Sequence, residues 1–388
     1  MSANHDHNLG DLDTPRNVAR ILWIAVIVVA LLALLGVGLL WPSGSQSTDD
    51  QFMDSNTQKA TVLLVETLPC SGTTEDEGID CRWVTISVGE QDDRGVIEQS
   101  TDGVGARLRE GDKILVSTAV IGDGRVVYGF NDYQRGTPMA LLALLFVITV
   151  LMLGRWRGLG AVAGLAASLV VLIVFMLPSL LDGNSPIIVA IVGSVVIAYI
   201  AIFFAHGINV ASAVALLSTF LSLTLTGLLG WMFVAAAKFT GYTDESAYYL
   251  DVLGLDIDFR GVILAGIVIG SLGVLDDVTV TQVSAVWELR KANPHGGWNE
   301  IFRPAMNIGR DHVSSTVNTL FLAYAGASLP LLLLFTRAGQ SSGSIVGKEV
   351  VAVEVVRSLV GSVGLVASVP IATALATLVV GAAKSARS

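Results

Sequence analysis

The stretch from Gly261 to Val280 reads GVILAGIVIGSLGVLDDVTV, and its only charged residues are Asp276 and Asp277. A helix needs roughly 20 apolar residues to cross about 30 Å of hydrocarbon, so this run predicts a membrane-spanning helix. The composition agrees, because 53% of the 388 residues are hydrophobic, 14% are charged and the mean hydropathy is +0.68. A soluble chain normally carries about 25% charged residues. We therefore expect an integral membrane protein that has the lipid bilayer as its partner.

Outward from this run, comparable apolar runs predict a polytopic α-helical protein with about eight transmembrane helices. The approximate bounds are 21–41, 138–153, 159–181, 186–204, 210–237, 261–280, 313–335 and 359–380. The second run is short and the fifth is long, which predicts tilt or a break in each.

Arginine and lysine fall in the loops of one side, which the positive-inside rule places in the cytoplasm. They are Arg16, Arg20, Arg155, Arg157, Arg290, Lys291, Arg303, Arg310, Lys384 and Arg387. Both termini are then cytoplasmic, with residues 1–20 as a tail and residues 138–388 as a seven-helix bundle.

We interpret 21–41 as an uncleaved anchor, because it is longer than a signal-peptide core and Trp41-Pro42-Ser43 offers no small-x-small cleavage site. A cleaved signal peptide is the alternative.

Residues 42–137 hold 17 acidic and 8 basic residues and are predicted to form an extracytoplasmic β domain. Four stretches in it are rich in β-branched residues and bounded by turn formers: 60–66, 82–88, 113–120 and 125–130. Four to six strands of this length predict a small OB-like barrel or β-sandwich.

The chain has no basic cluster larger than a pair of residues, which argues against a nucleic-acid partner.

The only cysteines, Cys70 and Cys81, both lie in this predicted domain. In an oxidising compartment they would form a disulfide, a link typically worth about 2 to 4 kcal/mol. Two free thiols are the alternative. A metal site is less favoured, because a pair of cysteines lacks two further ligands.

Ionisable side chains at membrane depth are costly unless they are paired or hydrated, so they are the best functional pointers in this sequence. Asp276 and Asp277 would lie about 23 Å along the sixth span, in its cytoplasmic quarter. If the helix continues past Val280, then Asp277, Thr281 and Glu288 share one polar face with Ser284.

Small residues just outside this stripe, Gly266, Gly270 and Gly273, would let another helix approach closely. A structural role is also expected for Gly309 and Arg310, which precede the seventh span. After them, Asp311, Ser314, Ser315 and Asn318 share a second polar face, with His312 beside it. Asn318 would lie about 10 Å deep, at a level comparable with Asp277.

Carboxylate, hydroxyl and amide oxygens suit protons, sodium or divalent cations, and His312 could add a proton relay or a softer ligand. The sequence predicts no organic cofactor and leaves the identity of a bound cation open. A simpler reading applies to Asp311 and His312, because a polar cluster at a helix start could serve as a cap and a surface ion pair.

The same segments resemble the YibE/F-like family of bacterial membrane proteins. The likeness rests on Gly270-Ser-Leu-Gly273 with Asp277-Val278, Trp287-Glu288-Leu289, Met306-Asn-Ile-Gly309-Arg310-Asp311, Asn318-Thr-Leu, Ala323-Tyr-Ala-Gly326 and Arg357-Ser-Leu-Val-Gly-Ser-Val-Gly364 with Pro370. It covers residues 59–380 and implies a bacterial inner-membrane protein with a small outer β domain, of a family with no characterised activity. Asp276 and His312 depart from the family pattern, which puts a two-aspartate or histidine-dependent mechanism in doubt.

We consider three functions. In the leading hypothesis the protein is a transporter or permease for a small cation or proton-coupled solute. Asp277 and Asp311 would bind the ion, and Asn318 and Thr281 would complete its shell. The second is a non-catalytic scaffold whose outer β domain binds an envelope protein. The third, an intramembrane enzyme with paired aspartates, has no specific support from the spacing. The sequence is compatible with a homo-oligomer and does not determine the oligomeric state.

Overall fold

The computed structural model describes residues 15–43, 56–70, 80–89, 93–101, 106–120, 126–243, 245–255, 257–337 and 342–385. The predicted cytoplasmic tail lies largely outside these residues, as do most of the loop between the cysteines and Arg387. The chain separates into two compact units, one of Met1–Gln46 with Val150–Ser388 and one of Ser47–Thr149. The first unit is helical and the second holds the sheet, so each is described by itself.

Helices make up most of the described chain. Their bounds are α1 Arg16–Leu39, α2 Gly136–Arg155, α3 Gly158–Leu181, α4 Pro186–His206, α5 Val210–Ala236, α6 Glu245–Val252, α7 Phe259–Ala292, α8 Trp298–Ala327, α9 Leu329–Arg337, α10 Ser342–Val346 and α11 Glu349–Ser385. Helices α2 and α3 follow one another with a kink at Arg155, whose φ of 50° lies outside the helical region. The first part of α2 belongs to the unit that holds the sheet.

Seven of the described helices are long and apolar enough to cross a membrane: α1, α2, α3, α4, α5, α7 and α11. An eighth span is possible only if α8 and α9 act together, because a bend of 59° separates them. The seventh predicted span, 313–335, was wrong in its bounds. Helix α8 already begins at Trp298, and the chain bends beside Pro330, which cannot donate a backbone hydrogen bond to a continuing helix.

Helix α7 forms the centre of the helical unit, where it packs against α4, α5, α8 and α11. Small and hydroxylated residues allow the close approach of α5, α7 and α11. The hydroxyls of Thr219 and Thr279 lie 2.6 Å apart, and Gly364 of α11 contacts the hydroxyl of Thr226. Hydroxyl side chains that bond to their own helix backbone suit such an interface, since their hydrogen-bonding capacity is met without a partner helix.

The start of α11 lies at the same end of the bundle as the end of α5. The carboxylate of Glu349 accepts hydrogen bonds from the backbone N–H groups of Thr240 and Gly241, both at 2.7 Å, and from the Thr240 hydroxyl at 2.9 Å. A positive φ of 97° at Gly241 lets the chain pass Phe259 at the start of α7. Three helix ends are thereby tied together.

The second unit contains an antiparallel five-stranded sheet. Its strands are β1 Asn56–Pro69, β2 Asp80–Val88, β3 Asp93–Ser100, β4 Lys113–Val120 and β5 Val126–Tyr133, in the order β3-β2-β1-β4-β5. The two outer strands approach each other, since the ring of Tyr128 on β5 covers Gly95 on β3. The core includes Val62, Val84 and Ile86, which are almost fully buried.

Cys70 and Cys81 form a disulfide that joins the end of β1 to the start of β2, with 4.8 Å between their Cα atoms. The predicted disulfide is therefore confirmed. Strand β3 was not among the four stretches singled out from the sequence, although the expected number of four to six strands includes it. Its segment DRGVIEQS has few apolar residues, and only Gly95 and Ile97 are buried.

Candidate functional site

The candidate site is built on the middle of α7, a helix that runs unbroken from Phe259 to Ala292. The side chain of Asp258 caps its start by accepting a hydrogen bond from the Gly261 N–H at 3.0 Å. At its other end, the buried Arg290 donates to the carbonyls of Gly296 and Pro294, which holds the turn into α8. Both aspartates thus lie far from either end, where no helix terminus can satisfy their charge.

Asp276 is half-buried on the side of α7 that faces the main core. Leu272 and Val280, one helical turn before and after it, are buried members of that core, as is Val283. The carboxylate atom Oδ1 of Asp276 is buried and has no hydrogen-bond partner among the described residues. A buried polar group without a partner is costly, and an ionised one more so. The leading hypothesis from the sequence placed the ion at Asp277 and Asp311 and not at this position.

Asp277 lies about 100° around the helix axis from Asp276, where its side chain is exposed on the bundle surface. Thr281 and Glu288 are exposed on the same side, with Ser284 partly buried between them. The Thr281 hydroxyl donates to the Asp277 carbonyl at 2.7 Å, and Glu288 pairs with Lys291 at 3.0 Å. Glu288 therefore serves in a surface ion pair in this structure.

Helix α8 turns Ile301, Ala305, Gly309, Val313 and Leu320 toward the bundle. The predicted polar residues Asp311 and Asn318 lie on the opposite, exposed side. Asp311 is thirteen residues beyond the first residue of α8, so the interpretation as a helix cap does not apply. The exposed Arg310 reaches Asn307 at 3.3 Å, and among the described residues no ion pair joins it to Asp311.

His312 differs from its neighbours because it is half-buried. Its Nε2 atom is buried and has no hydrogen-bond partner among the described residues, while its carbonyl accepts from the Thr316 hydroxyl. An unpartnered buried polar atom is therefore also present on α8. No contact between His312 and Asp276 is part of the described structure, so the two are separate features.

Gln282 aligns α7 with α8 and α11, and sequence reasoning did not single it out. Its Nε2 donates to the Ala305 carbonyl and to the Thr373 hydroxyl, both at 2.7 Å. Gly309 packs against the same side chain, because a Cβ atom there would lie 2.7 Å from Gln282 Oε1. The one available signal was a lone amide in an apolar helix, which in membranes often marks a helix contact.

The predicted glycine face of α7 is covered at one end by side chains from two other helices. A Cβ at Gly266 would lie 3.3 Å from Nη2 of Arg357 on α11, and one at Gly270 would lie 3.0 Å from the Tyr324 hydroxyl on α8. Arg357 also pairs with Glu354 at 2.6 Å, and about a quarter of each side chain is exposed. Nothing lies within 4 Å of a Cβ at Gly273, so the face is open there.

One helical turn beyond Asp276, a cavity of about 10 Å³ lies between α4, α5 and α7. Ser212 and Ser284 line it together with His206 and apolar side chains. The Ser212 hydroxyl is buried and has no partner among the described residues. A polar pocket of this size is near the lower limit for one water molecule.

Within the described part of the chain, only Cys70, Cys81 and Glu98 bring three metal-type ligand atoms together. Both cysteines are in the disulfide, so they are not thiolate ligands. A cation at Asp276 or Asp277 would therefore rely on carboxylate, hydroxyl and backbone oxygens, which suit protons, sodium or magnesium better than softer metals.

These features describe a helical bundle with several helices that could cross a membrane and with carboxylates in its central helix. A family profile described as YibE/F-like protein matches residues 142–382, and the chain belongs to that family. The matched residues hold most of the helical unit and leave out the five strands, so the match is shorter than the resemblance seen over residues 59–380. No curated protein and no solved structure matches the chain.

Proposed function

We propose that the protein is a membrane transporter or permease for a small cation or a proton-coupled solute, and that Asp276 takes up the ion. The observation that carries the proposal is the buried, unpartnered Oδ1 of Asp276 on the core side of α7. A carboxylate in such a place is stabilised when it binds a proton or a cation. Ionisable groups inside helical bundles of membrane proteins commonly mark ion pathways.

Two neighbours support this role. Asp277 adds a second carboxylate next in the chain, on the exposed side, where it would raise the local concentration of cations. The small cavity lined by Ser212 and Ser284 lies one turn away along α7 and offers polar oxygens for a bound water or ion. Together they suggest a route between the end of the bundle and Asp276.

The proposal includes the placement of the chain. The helical unit would lie in a bacterial inner membrane with both termini in the cytoplasm, as the distribution of arginine and lysine favours. The sheet would lie outside the cytoplasm, where a disulfide is stable. Its strand order and the approach of β3 to β5 support a small OB-like barrel.

The test is ion flux in proteoliposomes that contain the full chain, measured for protons, sodium and magnesium against protein-free liposomes. Loss of one charge–ion contact is worth about 1.5 to 3 kcal/mol, so Asp276→Asn should lower the flux about tenfold or more. Glu288→Gln is the matched control, because it removes a carboxylate from the same helix at an exposed ion pair. Absence of flux for all three ions in the folded wild type would refute transport of these ions.

A scaffold function is the second candidate, and one observation favours it. Strand β1 exposes Leu63, Leu64 and Leu68, which a protein partner could cover. In this case, removal of residues 56–133 would abolish the cellular function, whereas Asp276→Asn would leave it intact. The opposite pattern would favour the transporter.

A further inference from the structure

Helices α7 and α8 pack side by side, and each carries exposed polar residues. Val274 and Val278 of α7 pack with Val313 and Val317 of α8, which makes an apolar seam between the helices. On one side of the seam, both helices face α11, to which Gln282 bonds through Thr373. The exposed polar residues of each helix point away from its buried contacts.

We call the exposed polar residues of these two helices the α7/α8 polar face. It is made of Asp277 and Thr281 on α7, and of Arg310, Asp311, Ser314 and Asn318 on α8, all of which are exposed. The contact of Gln282 with Ala305 and that of Gly270 with Tyr324 show that the two helices run antiparallel side by side. Asp277 and Asn318 therefore lie at neighbouring levels, both between these two contacts.

Where this face lies within the bilayer, it is poorly suited to lipid. Carboxylates and amides that face hydrocarbon cost several kcal/mol unless they find partners. Among the described residues, neither Asp277 nor Asp311 has an ion-pair partner within 4 Å, and Arg310 donates a hydrogen bond to the Asn307 side chain at 3.3 Å. The open space at Gly273 beside Asp277 would let another helix come close.

We propose that the α7/α8 polar face binds a second copy of this chain. A two-fold interface joins the same surface of both copies, so it must carry both charge signs to be complementary to itself. Arg310 and Asp311 supply the two signs on adjacent residues, and Asp277 adds a second acid. In the dimer, Arg310 of one copy pairs with the acids of the other, and Asn318 and Ser314 bond across the interface.

This inference does not depend on transport, and its test does not measure flux. The wild-type chain is labelled with one fluorophore per copy, reconstituted at low density in liposomes, and photobleaching steps are counted. The proposal predicts two steps for most particles. One-step bleaching at every density would overturn it.

Charge-reversal variants test whether the α7/α8 polar face is the surface through which the two copies associate. Arg310→Asp and Asp311→Arg should each weaken self-association about tenfold, since each places like charges together. The double variant should restore self-association, because it only exchanges the positions of the positive and the negative charge. Lys238→Glu, at an exposed position after α5, is the control and should leave the step counts unchanged. Dimers that persist in folded single variants would overturn the assignment of this face.

Discussion

Gln282 of α7 donates a hydrogen bond of 2.7 Å to the hydroxyl of Thr373 on α11. The same Nε2 atom donates to the Ala305 carbonyl of α8, also at 2.7 Å. Thr373 in turn donates to the Val369 carbonyl of its own helix. One buried amide therefore links α7, the helix that carries the candidate site, to α8 and α11.

Replacing this amide should destabilise the bundle. In Gln282→Leu the shape is nearly kept, but the links to Ala305 and Thr373 are lost, at a cost of about 1 to 3 kcal/mol. Thermal unfolding in detergent, followed by circular dichroism, measures the loss. Ser284→Ala is the control, because the Ser284 hydroxyl bonds only to Val280 within its own helix. Equal melting temperatures for the two variants would contradict the role of Gln282.

Replacement by alanine should have opposite effects on stability at Gly309 and at Gly273. A Cβ at Gly309 would overlap Val369 and the amide of Gln282, so Gly309→Ala should cost about 1 to 3 kcal/mol. Nothing surrounds a Cβ at Gly273, and alanine is favoured in a helix by about 1 kcal/mol. Melting temperatures of both variants test this, and a stable Gly309→Ala protein would show that the contact is not tight.

Removal of the disulfide should affect the sheet and leave the helices folded. The change of Cys70 and Cys81 to serine together should lower the free energy of unfolding of the sheet unit by about 2 to 4 kcal/mol. Trp83 reports on this region, because its indole N–H donates to the Pro69 carbonyl at 3.2 Å, next to Cys70. With Trp83 kept and the other six tryptophans changed to phenylalanine in both proteins, the fluorescence transition in denaturant should shift to lower concentration when the cysteines are removed. An unshifted transition would show that the link adds no stability.

Glu349 should protect the loop that follows α5. Its carboxylate holds the N–H groups of Thr240 and Gly241, so Glu349→Ala should make both amides exchange faster with deuterium. Amides in the middle of α5 serve as the internal control and should keep their rates. Unchanged exchange at residues 240 and 241 would mean that other contacts hold this loop.

Much of the fold follows from apolar runs, since seven helices and four of the five strands fall close to the predicted segments. Strand β3 and the first half of α8 were harder to predict for one physical reason. In both segments the few apolar residues are interrupted by polar ones, so neither forms a continuous apolar run. The bend between α8 and α9 coincides with Pro330, a signal that the sequence contains.

The segment that carries the site was predictable from the sequence, but which of its two aspartates faces the core was not. Asp276 and Asp277 are adjacent and chemically identical, and helix spacing alone separates them by about 100° around the axis. Which of them faces the core depends on how α7 packs against α4 and α5, and a single sequence does not encode that contact in a local pattern. Leu272, Val280 and Val283 were the available clue, because they place an apolar stripe on the side of Asp276.

The central claim is that Asp276 carries the transported or coupling ion. The most direct test compares initial ion flux in proteoliposomes for the wild type, Asp276→Asn and Asp276→Glu at equal amounts of folded protein. We predict that the amide variant loses flux and that the glutamate variant, which keeps the carboxylate, retains a measurable part of it. Flux in Asp276→Asn equal to that of the wild type would contradict the assignment.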